Sequence, residues 1–259
     1  MKKASMALMA SCGIAILSVG AVWAKDPTVK SKKEAEAFQA MQTTLQSNQG
    51  NPDVQLKAVD EFLTKFADTE FKVILLQNAM QISQQKRDPA QTITWAERVL
   101  EADPKNFEAE VTIASETAGA AKEFDLDKAE KTAKVQKYAQ AALTNVKDYP
   151  KPISQIPDDQ WEAQKKSATA QAHVALGMMA MANKKYDEAV TEMKTAVDSS
   201  PDAIATFRLG EAYLKANKLD DANATFDKVL TLPDATAPVK QYAQQRKADI
   251  VKMKAAGSK

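Results

Sequence analysis

Two stretches of the chain repeat each other at a distance of 33 residues, and that period restricts the chain to a narrow set of architectures. Leu176-Gly177 recurs as Leu209-Gly210, Ala189 as Ala222, and Met193 as Phe226. Lys185-Tyr186-Asp187-Glu188-Ala189 is answered by Lys218-Leu219-Asp220-Asp221-Ala222. Pro201 ends the first unit, and Pro233 ends the second within one residue of the equivalent place. A fixed period of this size marks stacked supersecondary units, each burying its apolar face only against its neighbours.

The units are helical. Only seven glycines occur in 259 residues, and Ala, Lys, Gln, Glu and Met, which lose little freedom in a helix, recur throughout. Pro52, Pro89, Pro104, Pro150, Pro152, Pro157, Pro201, Pro233 and Pro238 fall between helix-period segments or at their starts, where a missing amide costs little. No continuous alternating strand pattern lies between them. The periodicity predicts helices at 33–48, 53–67, 70–86, 89–102, 106–121, 126–146, 159–182, 186–199, 203–216, 219–231 and 237–254. Short connections make consecutive helices antiparallel hairpins, and a row of hairpins is an all-α solenoid.

On these residues the chain resembles the tetratricopeptide repeat family. That family's pattern has a Leu-Gly pair in the first helix, an aromatic three residues after the Gly, a small Ala early in the second helix, an aromatic four residues later, and a terminal Pro. Residues 170–203 carry Leu176, Gly177, Ala189, Ala196 and Pro201; residues 203–235 carry Leu209, Gly210, Tyr213, Ala222 and Phe226. The chain departs from the pattern where His173 and Thr206 take the usual Trp place, and where Ala180 and Met193 replace the aromatics of the first unit. Glycine inside a helix costs about 1 kcal/mol relative to alanine, so Gly177 and Gly210 at one repeat phase call for a reason. The expected reason is close approach of the paired helix at its Ala.

The resemblance implies a superhelix whose first helices line a concave, peptide-binding side. Val174, Met178 and Met181 would face that groove from one unit, and Phe207, Glu211 and Leu214 from the next, each set spaced i, i+4, i+7. Arg208 and Glu211 would supply polar handles. Methionine is flexible and polarizable and accepts varied apolar side chains, but the Met stripe equally suits packing against the preceding helix. The Lys and Asn clamp by which some relatives hold a C-terminal carboxylate is not reproduced.

The organisation expected is therefore degenerate tetratricopeptide-like repeats over 34–146, a Pro-rich connecting loop over 147–158, two clearer units over 159–235, and a capping helix and tail over 236–259. Asp158 or Asp159 is expected to cap the helix after the loop. The last helix should pack through Val239, Tyr242, Ala243, Ile250 and Met253.

Residues 1–24 read as a secretory signal: a basic start at Lys2-Lys3, an apolar stretch, and Val22-Trp23-Ala24 before Lys25, followed by a linker over 25–33. The alternative is an uncleaved anchor, since 21 uncharged residues separate Lys3 from Lys25. A lipoprotein reading would use Cys12, but the apolar run continues past it. The expected location is periplasmic or secreted, or else anchored to the inner membrane and facing outward; no other membrane contact is expected.

Chemistry is scarce. His173 is the only histidine, and the single cysteine, Cys12, lies in the expected signal, so neither a metal site, thiol chemistry nor a Ser/His/Asp triad is expected. No phosphate-binding glycine loop occurs. Charge is balanced at +1, or −1 without the first 24 residues, which argues against nucleic acid as a partner. Asp158-Asp159, Asp187-Glu188 and Asp220-Asp221 stand at helix starts, where carboxylates oppose the helix dipole.

The function these readings point to is an exported scaffold or adaptor that holds a protein or peptide partner in the concave groove, with envelope assembly as the candidate setting. It needs no cofactor and is not an enzyme. The competing readings are a membrane-tethered, self-associating assembly module and a carboxylate-dependent glycan-processing enzyme. Oligomeric state is left open.

Overall fold

A computed structural model of the protein describes residues 27–151 and 156–257. The expectations for the signal, its cleavage before Lys25 and Cys12 fall outside these residues. Among the described residues there are eleven α-helices and no strand: α1 Lys32–Ser47, α2 Pro52–Lys65, α3 Lys72–Lys86, α4 Pro89–Ala102, α5 Phe107–Ala120, α6 Lys128–Asp148, α7 Asp158–Ala182, α8 Tyr186–Ser199, α9 Ala203–Lys215, α10 Leu219–Thr231 and α11 Ala237–Gly257. None of the described helices is long and apolar enough to cross a membrane.

Local chemistry sets most of these boundaries. The side chains of Asn51, Asp88, Asn106 and Asp202 accept hydrogen bonds from the first-turn amides of α2, α4, α5 and α9, and Pro52 and Pro89 occupy first helical positions. Helices α8 and α10 lack a side-chain cap but carry Asp187, Glu188, Asp220 and Asp221 in their first turns, where the dipole favours them. The turns before α4, α8 and α10 share one geometry. Arg87, Lys184 and Asn217 adopt φ of 59°, 61° and 59°. The following amides, of Asp88, Lys185 and Lys218, then donate back to the carbonyls of Ser83, Ala180 and Tyr213. The α3–α4 hairpin thus turns like the two regular units despite its degenerate sequence.

Each helix packs on the next, from α1 to α11, so the core is a chain of apolar clusters running the length of the array. At the Pro-rich loop α7 packs on both α5 and α6, which keeps the stack continuous. Tyr149, Ile156 and Trp161, around that loop, are buried with Phe107. Tyr149 also donates its hydroxyl to Asp103 and accepts from Asn106 Nδ2 at 3.1 Å, tying the end of α6 to the α4–α5 turn. Helix α6 runs two residues into the segment expected to be loop, and Pro157 is the N-cap of α7 with no side-chain bond. Asp158 and Asp159 therefore lie inside the first turn and do not cap it.

The packing sharpens one further expectation and corrects another. A Cβ built on Gly177 would meet Met193 side-chain atoms at 3.0 Å, and one on Gly210 would meet the Phe226 ring at 2.6 Å. The side chains nearest above the glycines are those of Met193 and Phe226, both fully buried, on the same paired helices as Ala189 and Ala222. On the last helix Ala243 and Ile250 are buried and Val239 packs beside them, but Tyr242 is 60% and Met253 42% exposed. A stripe at 239, 243 and 250 follows the helix period, and Tyr242 and Met253 stand off it toward the open end of the array.

Candidate functional site: the concave groove

The first helices of successive pairs, α3, α5, α7 and α9, together with the start of α11, line three connected depressions. The first, about 240 Å³, lies between α3, α5 and α7 and is edged by Gln81, Gln84, Glu108, Thr112, Gln164 and Gln171. The second, about 500 Å³, is reached past Gln171 and is bordered by Val174, Ile204, Ala205, Arg208 and Val239. The third, about 330 Å³, is reached past Arg208 and is bordered by Ala118, Ala121, Met178, Met181 and Glu211. Gln171 and Arg208 each border two depressions, so they mark the joints of one groove.

Of the expected groove residues, Val174, Met178, Met181, Arg208 and Glu211 border these depressions. The Met stripe has both roles that its sequence left open: Met178 and Met181 are half-buried, pack on the clusters between α7 and α9, and present their remaining surface to the third depression. Phe207 and Leu214 do not border the groove. They turn toward α10 and α11, where Phe207 lies 5.4 Å from Phe226, ring centre to ring centre. The reason is angular: their i, i+7 spacing aligns them with each other, but the helix rotates that face into the interface with the cap.

The remaining signature residues have structural places. Ala189, Ala222 and Phe226 are 0% exposed and Leu209 7%. Leu176 and Tyr213 are half-buried against adjacent clusters. Pro201 is exposed in the turn between α8 and α9. His173 Nδ1 pairs with Glu192 Oε2 at 2.7 Å, a half-buried tie from α7 to α8.

Sequence reasoning missed the contributions of α3 and α5. Glu108, in the first depression, accepts a 3.3 Å hydrogen bond from Gln77 Nε2, and burial pushes its carboxyl up to about 7. Glu110, further round the helix, is 4% exposed, accepts two bonds from Asn145 Nδ2 at 2.8 and 3.0 Å, and is likewise pushed up by burial to about 7. The short α5–α6 loop was missed too. It exposes Phe124 and Leu126 beside the third depression and is held there by Glu123, paired with Lys184 at 2.6 Å. Two apolar residues in the otherwise charged stretch Glu123-Phe124-Asp125-Leu126-Asp127 were the available signal.

Among the described residues no three His, Cys, Asp or Glu side chains are grouped as a metal site would need. What the arrangement offers is a long inner surface with apolar floors, amide side chains and one central cation. That is the site of a helical-repeat binding scaffold.

Comparison with known proteins places it more narrowly. A family profile, Tetratricopeptide repeat, matches residues 174–238. The solved structure "MamA 41-end from Desulfovibrio magneticus RS-1" is similar in fold, with a TM-score of 0.50 at 18% identity, covering 81% of this chain and 99% of that one. A thermophilic TPR protein of Thermus thermophilus gives a TM-score of 0.48 at 16% identity, covering 84% of this chain and 98% of that one. A search of curated proteins gives no match. The tetratricopeptide repeat is thus assigned by sequence to residues 174–238, from the second half of α7 through α10, within an array whose fold is that of a helical-repeat solenoid.

Proposed function

We propose that the protein is an exported interaction scaffold that binds an extended segment of a partner protein along its concave groove, without catalysis and without a cofactor. The observation that carries this reading is the continuity of the groove: depressions of about 240, 500 and 330 Å³ follow one another along α3, α5, α7 and α9. A row of this kind suits a chain laid across several repeats better than a compact small molecule. Export is supported by the basic and then apolar N-terminal segment, and the bacterial envelope is the setting this favours.

The test is affinity capture from envelope extracts with the wild-type protein and with Met178→Glu. A partner held by wild type and lost from the variant supports the reading; retention of every partner overturns it. The mature N-terminus tests export, with a start at Lys25 expected. A second reading, self-association through the cap, has the exposed Tyr242, Val251 and Met253 of α11 in its favour. Light scattering on the purified protein separates the two, since a monomer rules that reading out.

A further inference from the structure

Arg208 occupies the joint between the second and third depressions, and among the described residues no hydrogen-bond or ion-pair partner engages its guanidinium. Its surroundings make this unusual. Every carboxylate bordering the two depressions is committed elsewhere. Glu211 holds Arg246 Nε at 2.7 Å, and Glu123 holds Lys184 at 2.6 Å. Asp202 accepts the amides of Ile204 and Ala205, both at 2.8 Å, as the N-cap of α9. Asp234 accepts the amide of Ala203 at 2.8 Å. Burial depresses the Arg208 pKa, with Asp202 opposing the shift only through space. A half-buried guanidinium keeps its charge, so it bears a desolvation cost that Asp202 relieves only through space and no hydrogen-bonded or ion-paired partner offsets.

The two sides of Arg208 differ. On the Asp202 and Asp234 side the walls are Val174, Ile204, Ala205 and Val239, which suit an apolar side chain. On the Met178 and Met181 side Glu123 and Glu211 are each neutralised by their own cation, which leaves Arg208 as the uncompensated charge. The groove continues past Arg208 in both directions, so a chain crosses this point rather than ending there.

We infer that Arg208 is the specificity-determining contact of the groove, holding the side-chain carboxylate of an Asp or Glu in a partner segment whose neighbouring bulky apolar residue fills the Val174, Ile204 and Val239 depression. The inference rests on the groove being the binding surface and adds what it selects. An arginine fork pairs with a carboxylate through two parallel hydrogen bonds, which a lysine or an amide cannot reproduce.

The test is selection from a phage library of random dodecapeptides fused through their C-termini, so that no displayed peptide offers a terminal carboxylate near the groove. Wild type should enrich sequences with Asp or Glu within a few residues of Leu, Ile, Phe or Met. A selected peptide, made N-acetylated and C-amidated, should lose about tenfold or more in affinity when its acid becomes the amide, with binding to wild type weakening as salt rises. Against Arg208→Gln the acid and amide peptides should bind alike. The variant removes a desolvated cation that has no partner, and an unchanged urea midpoint would show that it folds. Should it not fold, the salt dependence and the acid-to-amide ratio on wild type decide the matter alone.

The outcomes are distinct. No enrichment of any sequence removes the groove reading itself. Enrichment without an acid keeps the groove and overturns the role of Arg208, as does an acid preference that survives Arg208→Gln, or binding that requires a free C-terminus.

Discussion

Replacing Gly210 by alanine should destabilise the C-terminal unit, whereas the equivalent change at Gly177 should be nearly neutral, although the two glycines occupy the same repeat position. Both substitutions gain about 1 kcal/mol of helix propensity, so that term cancels in the comparison. The packing does not cancel. At Gly210 the new methyl would lie 2.6, 2.8 and 2.9 Å from three atoms of the Phe226 ring. Ordinary carbon contact requires the ring to retreat by roughly 1 Å. Phe226 is 0% exposed and already packs on Phe207 of the same helix as Gly210, so the ring has little room to yield without displacing α10 from α9. Overpacking of this kind costs about 1–3 kcal/mol, and a ring this confined sits at the upper end, so that the helix gain leaves a net loss of up to about 2 kcal/mol. At Gly177 the methyl meets Met193 at 3.0–3.2 Å, and a methionine can rotate its terminal atoms by a few tenths of an ångström. Urea unfolding followed by circular dichroism gives the two midpoints. Hydrogen exchange should place the Gly210→Ala loss in α9 to α11, because a repeat array feels a defect mainly in its own unit and the adjoining interfaces. In a Phe226→Leu background Gly210→Ala should lose most of its penalty, a coupling of about 1 kcal/mol or more. Equal midpoints for Gly210→Ala and Gly177→Ala, or no coupling to Phe226, would refute the reasoning.

Other outcomes follow from the same packing and charges. Glu110 is held near 7 by burial against an unfolded value of 4.5, so the folded state binds more protons between those values and stability should fall as pH rises through that window. The full effect is on the order of 3 kcal/mol, and Glu110→Gln, which keeps an acceptor for Asn145, should make the fall of the urea midpoint between pH 4.5 and 8 shallower, with Glu108 supplying the slope that remains. Asp202→Ala removes the cap that two α9 amides share and should cost about 1 kcal/mol in the same unfolding assay. Arg87 bears a left-handed backbone that favours glycine, and Arg87→Gly should raise the midpoint by the equivalent of about 0.5–1 kcal/mol. Tyr149→Phe deletes the hydroxyl shared by Asp103 and Asn106 and should cost about 1–3 kcal/mol.

The helices and their order were legible because apolar period, proline and capping residues all act locally. Boundaries at 89–102, 186–199 and 219–231 coincide with α4, α8 and α10 for that reason. What the sequence could not reveal depended on rotation about a helix axis. Phe207 and Arg208 are neighbours in the chain, yet one turns to the cap and the other to the groove, and the i, i+4, i+7 rule does not say which face meets which partner. The same ambiguity placed Tyr242 and Met253 on the packing side of α11, where they are exposed.

The repeat period itself concealed the inner surface. Residues that recur at 33-residue spacing are those that stack one unit on another, and binding residues have no reason to recur. Gln81, Glu108, Gln171 and Arg208 follow no common phase, so a search for self-similarity passes over them. The charge pattern shows the same division of labour. Lys218 with Asp187 at 2.7 Å, and Lys254 with Asp220, join successive units on the outside, each across a separation close to one repeat. Arg208, on the inside, has no counterpart of that kind, because its place one unit earlier is taken by Ala175. In a repeat array, a charge that breaks the period and finds no internal partner is better explained by what binds than by what stacks.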